Sequence, residues 1–157
     1  DIMAFCTNLE HIGDIIDKNL LETTRQKIKK QLRFSDEGLQ EIEKLHNRVH
    51  NNLRLAMNVF VSGERPLARK LLLEKEAFRD LEATAAENHL QRLQKGLPET
   101  RETSALHLDI IRDLKRVNSH LTSVAYPILD EAGELRSSRL RKKQKQAPVA
   151  EKLTPQN

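Results

Sequence analysis

Two carboxylates four residues apart, Glu10 and Asp14 in LEHIGD, stand one above the other on any helix that carries them. An exposed acidic pair of this kind suits a hard divalent cation or iron. The same spacing also occurs on plain solvated acidic faces. A second polar line, Asp109, Asp113, Arg116 and His120, runs through HLDIIRDLKRVNSHL at helical intervals, with His107 and Asn118 on the other side of the apolar stripe. Its acids can pair with Arg116 within the helix, or the line can face a partner, a metal or another helix. Glu43, followed by His46, is half of a di-iron carboxylate signature, with His50 one turn further on. No second copy stands in register on another helix. His46 is expected to be a hydrogen-bonded core histidine, and His89, beside Leu90, invites the same reading.

Nothing in the chain assembles a nucleophile, an acid and an oxyanion site. There is no phosphate-cradling glycine loop, nucleophile elbow or His-Glu-x-x-His, and Ser104, Ser119 and Ser123 have no evident base. The expectation is a non-enzymatic domain. One cysteine, Cys6, rules out an intrachain disulfide and a cysteine-based zinc finger and fits a reducing compartment. No apolar run reaches the ~18 residues of a membrane span, and the Asp1 start suggests a piece of a longer protein. Seven of the 27 basic residues but only one of the 23 acidic ones fall in 136–157, so that segment carries +6 and the other 135 residues −2. A nucleic-acid reader would carry its charge on the folded body, and stacking aromatics are scarce, so nucleic acid is not an expected partner. The basic residues Arg136, Arg139, Arg141, Lys142, Lys143 and Lys145 could instead lie against an acidic membrane surface, or simply be solvated.

The elements that must position these residues are four helices. Ile2, Phe5, Leu9, Ile12, Ile16 and Leu20 form the apolar face of the first, which should reach about Leu32. Ser35 or Asp36 can cap the second, whose stripe is Leu39, Ile42, Val49, Leu53, Met57 and Phe60, ending at Ser62-Gly63. Pro66 suits the first turn of the third, which carries Leu67, Leu71, Ala77, Leu81, Ala85 and Leu90 and stops at Gly96-Leu97-Pro98. The fourth starts near Glu102 or Thr103, carries Leu106 to Ile128, is kinked near Pro127 and closes at Gly133. Long helices with short connections predict an all-α, antiparallel up-down-up-down four-helix bundle. No segment reads as a strand, and residues 136–157 lack periodicity and read as disordered.

Two stretches carry a family resemblance. NLEHIGDIIDKN (Asn8–Asn19) resembles the acidic-Leu-Glu-Arg-Ile-Gly-Asp segment of PhoU domains. HLDIIRDLKRVNSHLTSVAYPIL (His107–Leu129) resembles the last helix of the PhoU-like cytoplasmic domain that ends bacterial sodium/phosphate cotransporters, the Na/Pi cotransporter II-related family. HLQRL (His89–Leu93) and AGELRSSRL (Ala132–Leu140) are similar to the same subfamily, so the likeness covers most of residues 4–140. The resemblance implies that 1–33 is the last helix of a preceding PhoU-like repeat, 34–132 a three-helix repeat packed with it, and 133–157 a basic flexible tail. It implies a cytoplasmic regulatory domain, itself soluble, at the inner face of the membrane, modulating sodium-dependent phosphate transport or signalling. PhoU proteins can bind metal clusters through a Glu-x-x-x-Asp pair, which Glu10 and Asp14 match. The equivalent places on the fourth helix, Lys115 and Ser119, are not carboxylates, so one metal motif is kept and the other lost. The expected partners are the transmembrane portion of the same transporter, a second copy, or a phosphate-signalling protein. Asp109, Asp113, Arg116, Asn118 and His120 are the expected docking residues. No cofactor is required beyond a possible divalent metal or iron. The alternatives are a metal-binding bundle with a carboxylate and histidine site, or a free-standing PhoU-type signalling adaptor.

Overall fold

The computed structural model describes residues 2–136 and 139–140. Three long helices form the body: α3 (Asp36–Ser62), α4 (Arg65–Gln94) and α5 (Pro98–Thr122), each packed on the other two. A composite first rod lies along α5, made of α1 (Ile2–Asp14), a π-helical segment (Ile15–Leu20) and α2 (Leu21–Lys29). It also reaches α3 through Phe5, stacked on Phe60 with ring centroids 4.1 Å apart. The short α6 (Ala125–Glu131) continues α5 after a break. The class is the all-α antiparallel bundle that the helical periodicities predict.

The ends of these helices follow from side-chain chemistry. Ser35 caps α3 by accepting from the Gly38 N–H, and Gly63, at φ +65°, closes its other end in the left-handed conformation. Pro98 is a correction: it opens α5 at N1 rather than merely ending α4, so α5 begins a full turn before Glu102. Pro127 does shorten the tail of α5. The proline cannot donate, and the Tyr126 N–H bonds three residues back to Ser123 O, which leaves the break before α6. A two-residue antiparallel pairing, β1 (Leu135–Arg136) with β2 (Arg139–Leu140), follows Gly133. No strand was expected there, but the pairing adds no layer to the bundle. The remaining basic residues, Arg141, Lys142, Lys143 and Lys145, lie outside the described residues, as do the side chains of Arg136 and Arg139. Among the described residues no helix is long and apolar enough to cross a membrane.

The buried lines differ from the apolar stripes read off the sequence. On α3 the inward residues are Gly38, Leu45, Asn52 and Val59, while Leu39, Leu53 and Met57 are exposed. The line on α4 is Leu71, Phe78, Ala85 and Arg92, and on α5 it is Thr100, His107, Leu114 and Leu121. Each advances by seven residues, the repeat of helices that pack along their length. Small and polar residues occupy some of these seats, so a search for apolar letters drifts off them. On the first rod Ile15, not Ile16, turns inward. The π segment, in which the Leu21 N–H reaches Ile16 O, adds a residue to one turn and resets the register.

The core is layered. One apolar cluster, around Leu45, Phe78, Ala85, Ile111 and Leu114, lies toward the start of α5. A larger one, around Ile12, Val59, Leu71, Leu121 and Leu129, lies toward α6. Between them Asn52 donates to Asn118 Oδ1 at 2.8 Å, both side chains buried. A pair in this position is fully desolvated, so each amide depends on the other.

Candidate functional site

A cleft of about 380 Å³ opens where the π segment meets α5. His11, Asp14, Lys18 and Asn19 line it from the first rod, and Arg116 and His120 from α5. π segments inside helices often mark functional places, because the widened turn displaces a side chain that an α-helix would hold in line. Here the displaced turn delivers Asn19, whose Nδ2 donates to Asp113 Oδ1 at 3.2 Å. Arg116 donates to the same oxygen at 3.1 Å. Asp113 is only 1% exposed, so these two donors compensate a carboxylate that water cannot reach.

The histidines of the cleft are also fixed. Asn8 donates its amide to Ala4 O and offers Oδ1 to His120 Nδ1 at 2.8 Å, which makes Nδ1 the protonated nitrogen of the neutral ring. Burial, with the nearby His11 and Arg116, lowers the pKa of His120. The His11 and His120 rings face each other at 5.1 Å, tilted by 55°. Lys18 Nζ lies 2.9 Å from Asp14 Oδ2. The cleft is thus a recess of paired charges and imidazoles.

The structure brings some of the expected residues together and separates others. Asp14, Arg116 and His120 share the cleft. Asp113 and Asn118 are buried within the bundle rather than displayed to a partner, because each is held by an amide of a neighbouring rod. Asp109 pairs with Arg112 at 2.9 Å. Glu10 is exposed, and Asp14 is engaged by Lys18. Among the described residues no three His, Cys, Asp or Glu side chains converge as a metal site would require. Glu43, His46 and His50 all face outward, so His46 is a surface residue and not the core histidine expected of it. His89, by contrast, is buried.

A second polar cluster, at the end of the bundle where α3 and α5 begin, was not legible as a site. Arg92 donates two hydrogen bonds to Glu41, at 2.9 and 2.7 Å. His107 lies 3.3 Å from the same carboxylate, without the alignment of a hydrogen bond. Its ring stacks on His89 at 4.8 Å, nearly parallel, and His89 Nε2 meets Ser104 Oγ at 2.9 Å. Phe34 covers His107 edge-on. Gly38 leaves the room: a Cβ there would lie 3.1 Å from Ser35 Oγ and 3.5 Å from the His107 ring. Burial pushes Glu41 up, but the hydrogen bonds and charge of Arg92 outweigh it and hold the carboxyl below its usual range. Burial lowers both histidines, helped at His107 by His89 and at His89 by Arg92, and only partly offset by Glu41. Both rings are therefore neutral at pH 7. The signal that could have found this cluster is the seven-residue line itself, which runs through Arg92 on α4 and His107 on α5.

The profile of the PhoU domain matches residues 42–128, which takes in most of α3, all of α4 and α5, and the start of α6. The chain is 38% identical over 131 residues to "Putative inorganic phosphate export protein YjbB" of Salmonella typhimurium, covering 83% of this chain and 24% of that protein. It is 36% identical over 134 residues to the protein of the same name from Escherichia coli K12, covering 85% of this chain and 25% of that protein. The chain thus spans about a quarter of the length of these curated relatives. No solved structure gives a significant match.

Proposed function

The chain belongs to the PhoU domain family, and from that premise we propose that it is a regulatory domain of a larger phosphate-transport protein, adjusting how phosphate is moved without catalysing a reaction. The observation that supports this reading best is the likeness to relatives named for phosphate export over more than four-fifths of this chain but only a quarter of theirs. A shared module of that size, with no assembled reactive centre in its cleft, fits a controlling part better than the conducting part.

The finer reading follows the resemblance. The transport is sodium-dependent, the domain lies at the cytoplasmic face of the membrane, and it works against the transmembrane portion of the same protein. Residues 1–33 end a preceding repeat, and 34–132 form the next. The cleft beside the π segment is the contact point, since Lys18 and Arg116 line it and remain substantially exposed while Asp113 holds Arg116 in place. Docking therefore rests on Lys18, Arg116, His120 and Asp109 rather than on the buried Asp113 and Asn118.

The test is phosphate flux through the full-length protein in proteoliposomes, with and without a sodium gradient. Lys18→Gln combined with Arg116→Gln should leave helicity intact and change the rate of flux or its dependence on phosphate concentration. Unchanged flux on both counts would remove the regulatory reading, and flux indifferent to sodium would remove the coupling.

A further inference from the structure

Lys44, Asn47, Arg48, Asn51 and Asn58 recur at helical spacing along one face of α3, and across from them α4 presents Lys70 and Glu74. Between the helices runs an open groove of about 740 Å³, floored by Asn52, Leu55 and Leu81. Asparagine in the middle of a helix is unfavourable relative to alanine. Asn52 offsets that cost through its bond to Asn118. The exposed Asn47, Asn51 and Asn58 do not, since none has a hydrogen-bond partner among the described residues. Lys44 and Lys70 are likewise without an ion-pair partner there. The single acid in the lining, Glu74, is already held by Arg48 at 2.8 Å. The lining thus carries three cations against one anion, with unused amide donors between.

The arrangement is also extended. Lys44 and Asn58 are separated by about 20 Å of helix. Lys70 lies near the start of α4, just past the Gly63 turn, and so stands at the Asn58 end. One free ammonium group therefore marks each end of the groove. No aromatic side chain lines it, so it offers no surface on which a base could stack.

The geometry points to the α3–α4 groove as a binding site for a linear chain of linked phosphates. Such a ligand is acceptor-rich, repeats its charge along its length, and can meet both ammonium groups and the amide row together. A single phosphate reaches only one end. The site is separate from the α1–α5 cleft, so its failure would leave the transport reading untouched.

Isothermal titration of the chain near physiological salt, with inorganic phosphate, tripolyphosphate and a longer linear polyphosphate, tests this. Binding should be saturable and tighten with chain length. Lys44→Gln and Lys70→Gln should each weaken the longest ligand about tenfold, the loss expected for one charge-assisted hydrogen bond. Asn47→Ala with Asn51→Ala should weaken it less, and circular dichroism should be unchanged in every variant. Absence of saturable binding would overturn the proposal. So would binding that survives Lys44→Gln with Lys70→Gln but disappears on Lys142→Gln with Lys143→Gln, because the basic C-terminal segment would then be the binder.

Discussion

At residue scale, the charged group most consequential for stability is Arg92, buried and forked onto Glu41. A desolvated ion pair adds little over an apolar pair of the same size, but removing one partner strands the other. Arg92→Met should therefore lower unfolding stability by about 3–5 kcal/mol, and Glu41→Met added to it should restore much of the loss. Urea denaturation of the single and double variants reads this directly. The neighbouring His89 and His107 give the domain a pH dependence whose sign is fixed. Their folded pKa values lie below the unfolded value of about 6.5, so the unfolded chain takes up protons first. Stability is full above that value and falls as pH drops through it toward the folded values, with Glu41 adding a further loss below about 4.5. His120, also lowered, contributes in the same direction. The melting temperature should decline between pH 7.5 and 5.5, and His89→Leu with His107→Leu should flatten that decline. An unchanged slope would mean that the two rings titrate alike in the folded and unfolded chain. None of this cluster was evident from residue type. His89 could be read as a core histidine, but only partners 15, 18 or 51 residues away in sequence join it, His107 and Arg92 into a unit.

At the scale of elements, most helix boundaries were legible because they are set by local chemistry. Ser35, Gly63, Pro66 and Gly96 each act within a few residues of themselves. The π segment was not legible, because nothing local to IIDKN demands it; it exists where Asn19 must reach Asp113 across to α5. Register on the first rod was misread for the same reason. One helix end is closed by an unexpected residue. Gln31 sits at φ 54° after α2, with the Leu32 N–H bonded to Lys27 O and its own N–H to Ile28 O. That is the bonding pattern in which Gly96 and Gly133 close α4 and α6. A side chain in the left-handed region costs ~1–2 kcal/mol, partly offset by the lower freedom of the unfolded chain relative to glycine. Gln31→Gly should accordingly stabilise the protein by about 0.5–1 kcal/mol, seen as a higher midpoint in thermal melting. A lower midpoint would show that the Gln31 side chain contributes more than its backbone strain takes away.

For the whole molecule, the antiparallel bundle could be foreseen from helix lengths and short turns, but not the unequal roles of its rods. α3, α4 and α5 form a closed three-way contact and take up most of the PhoU match, whereas the first rod lies outside residues 42–128 and rests chiefly on α5. Yet it is not a loose addition. Phe5, Ile12 and Ile15 are buried, and each such side chain contributes about 1.5–3 kcal/mol on leaving water. Asn19 and Asn8 complete the hydrogen bonding of Asp113 and His120 on α5. Domains of this size are stable by only about 5–15 kcal/mol, so the rod supplies a large share of the margin. A fragment of residues 34–140 should keep much of its helix content but unfold at a markedly lower urea midpoint. It should also self-associate through the bared face of Val117 and Leu121, measurable by sedimentation at rising concentration. Adding residues 1–33 as a separate peptide should restore both the midpoint and the sedimentation of the full chain, since the contact is made of packed side chains and two amide bridges rather than of chain connectivity. A fragment as stable as the full chain would instead make the three-helix repeat self-sufficient, and the first rod an exchangeable cover over the α5 face.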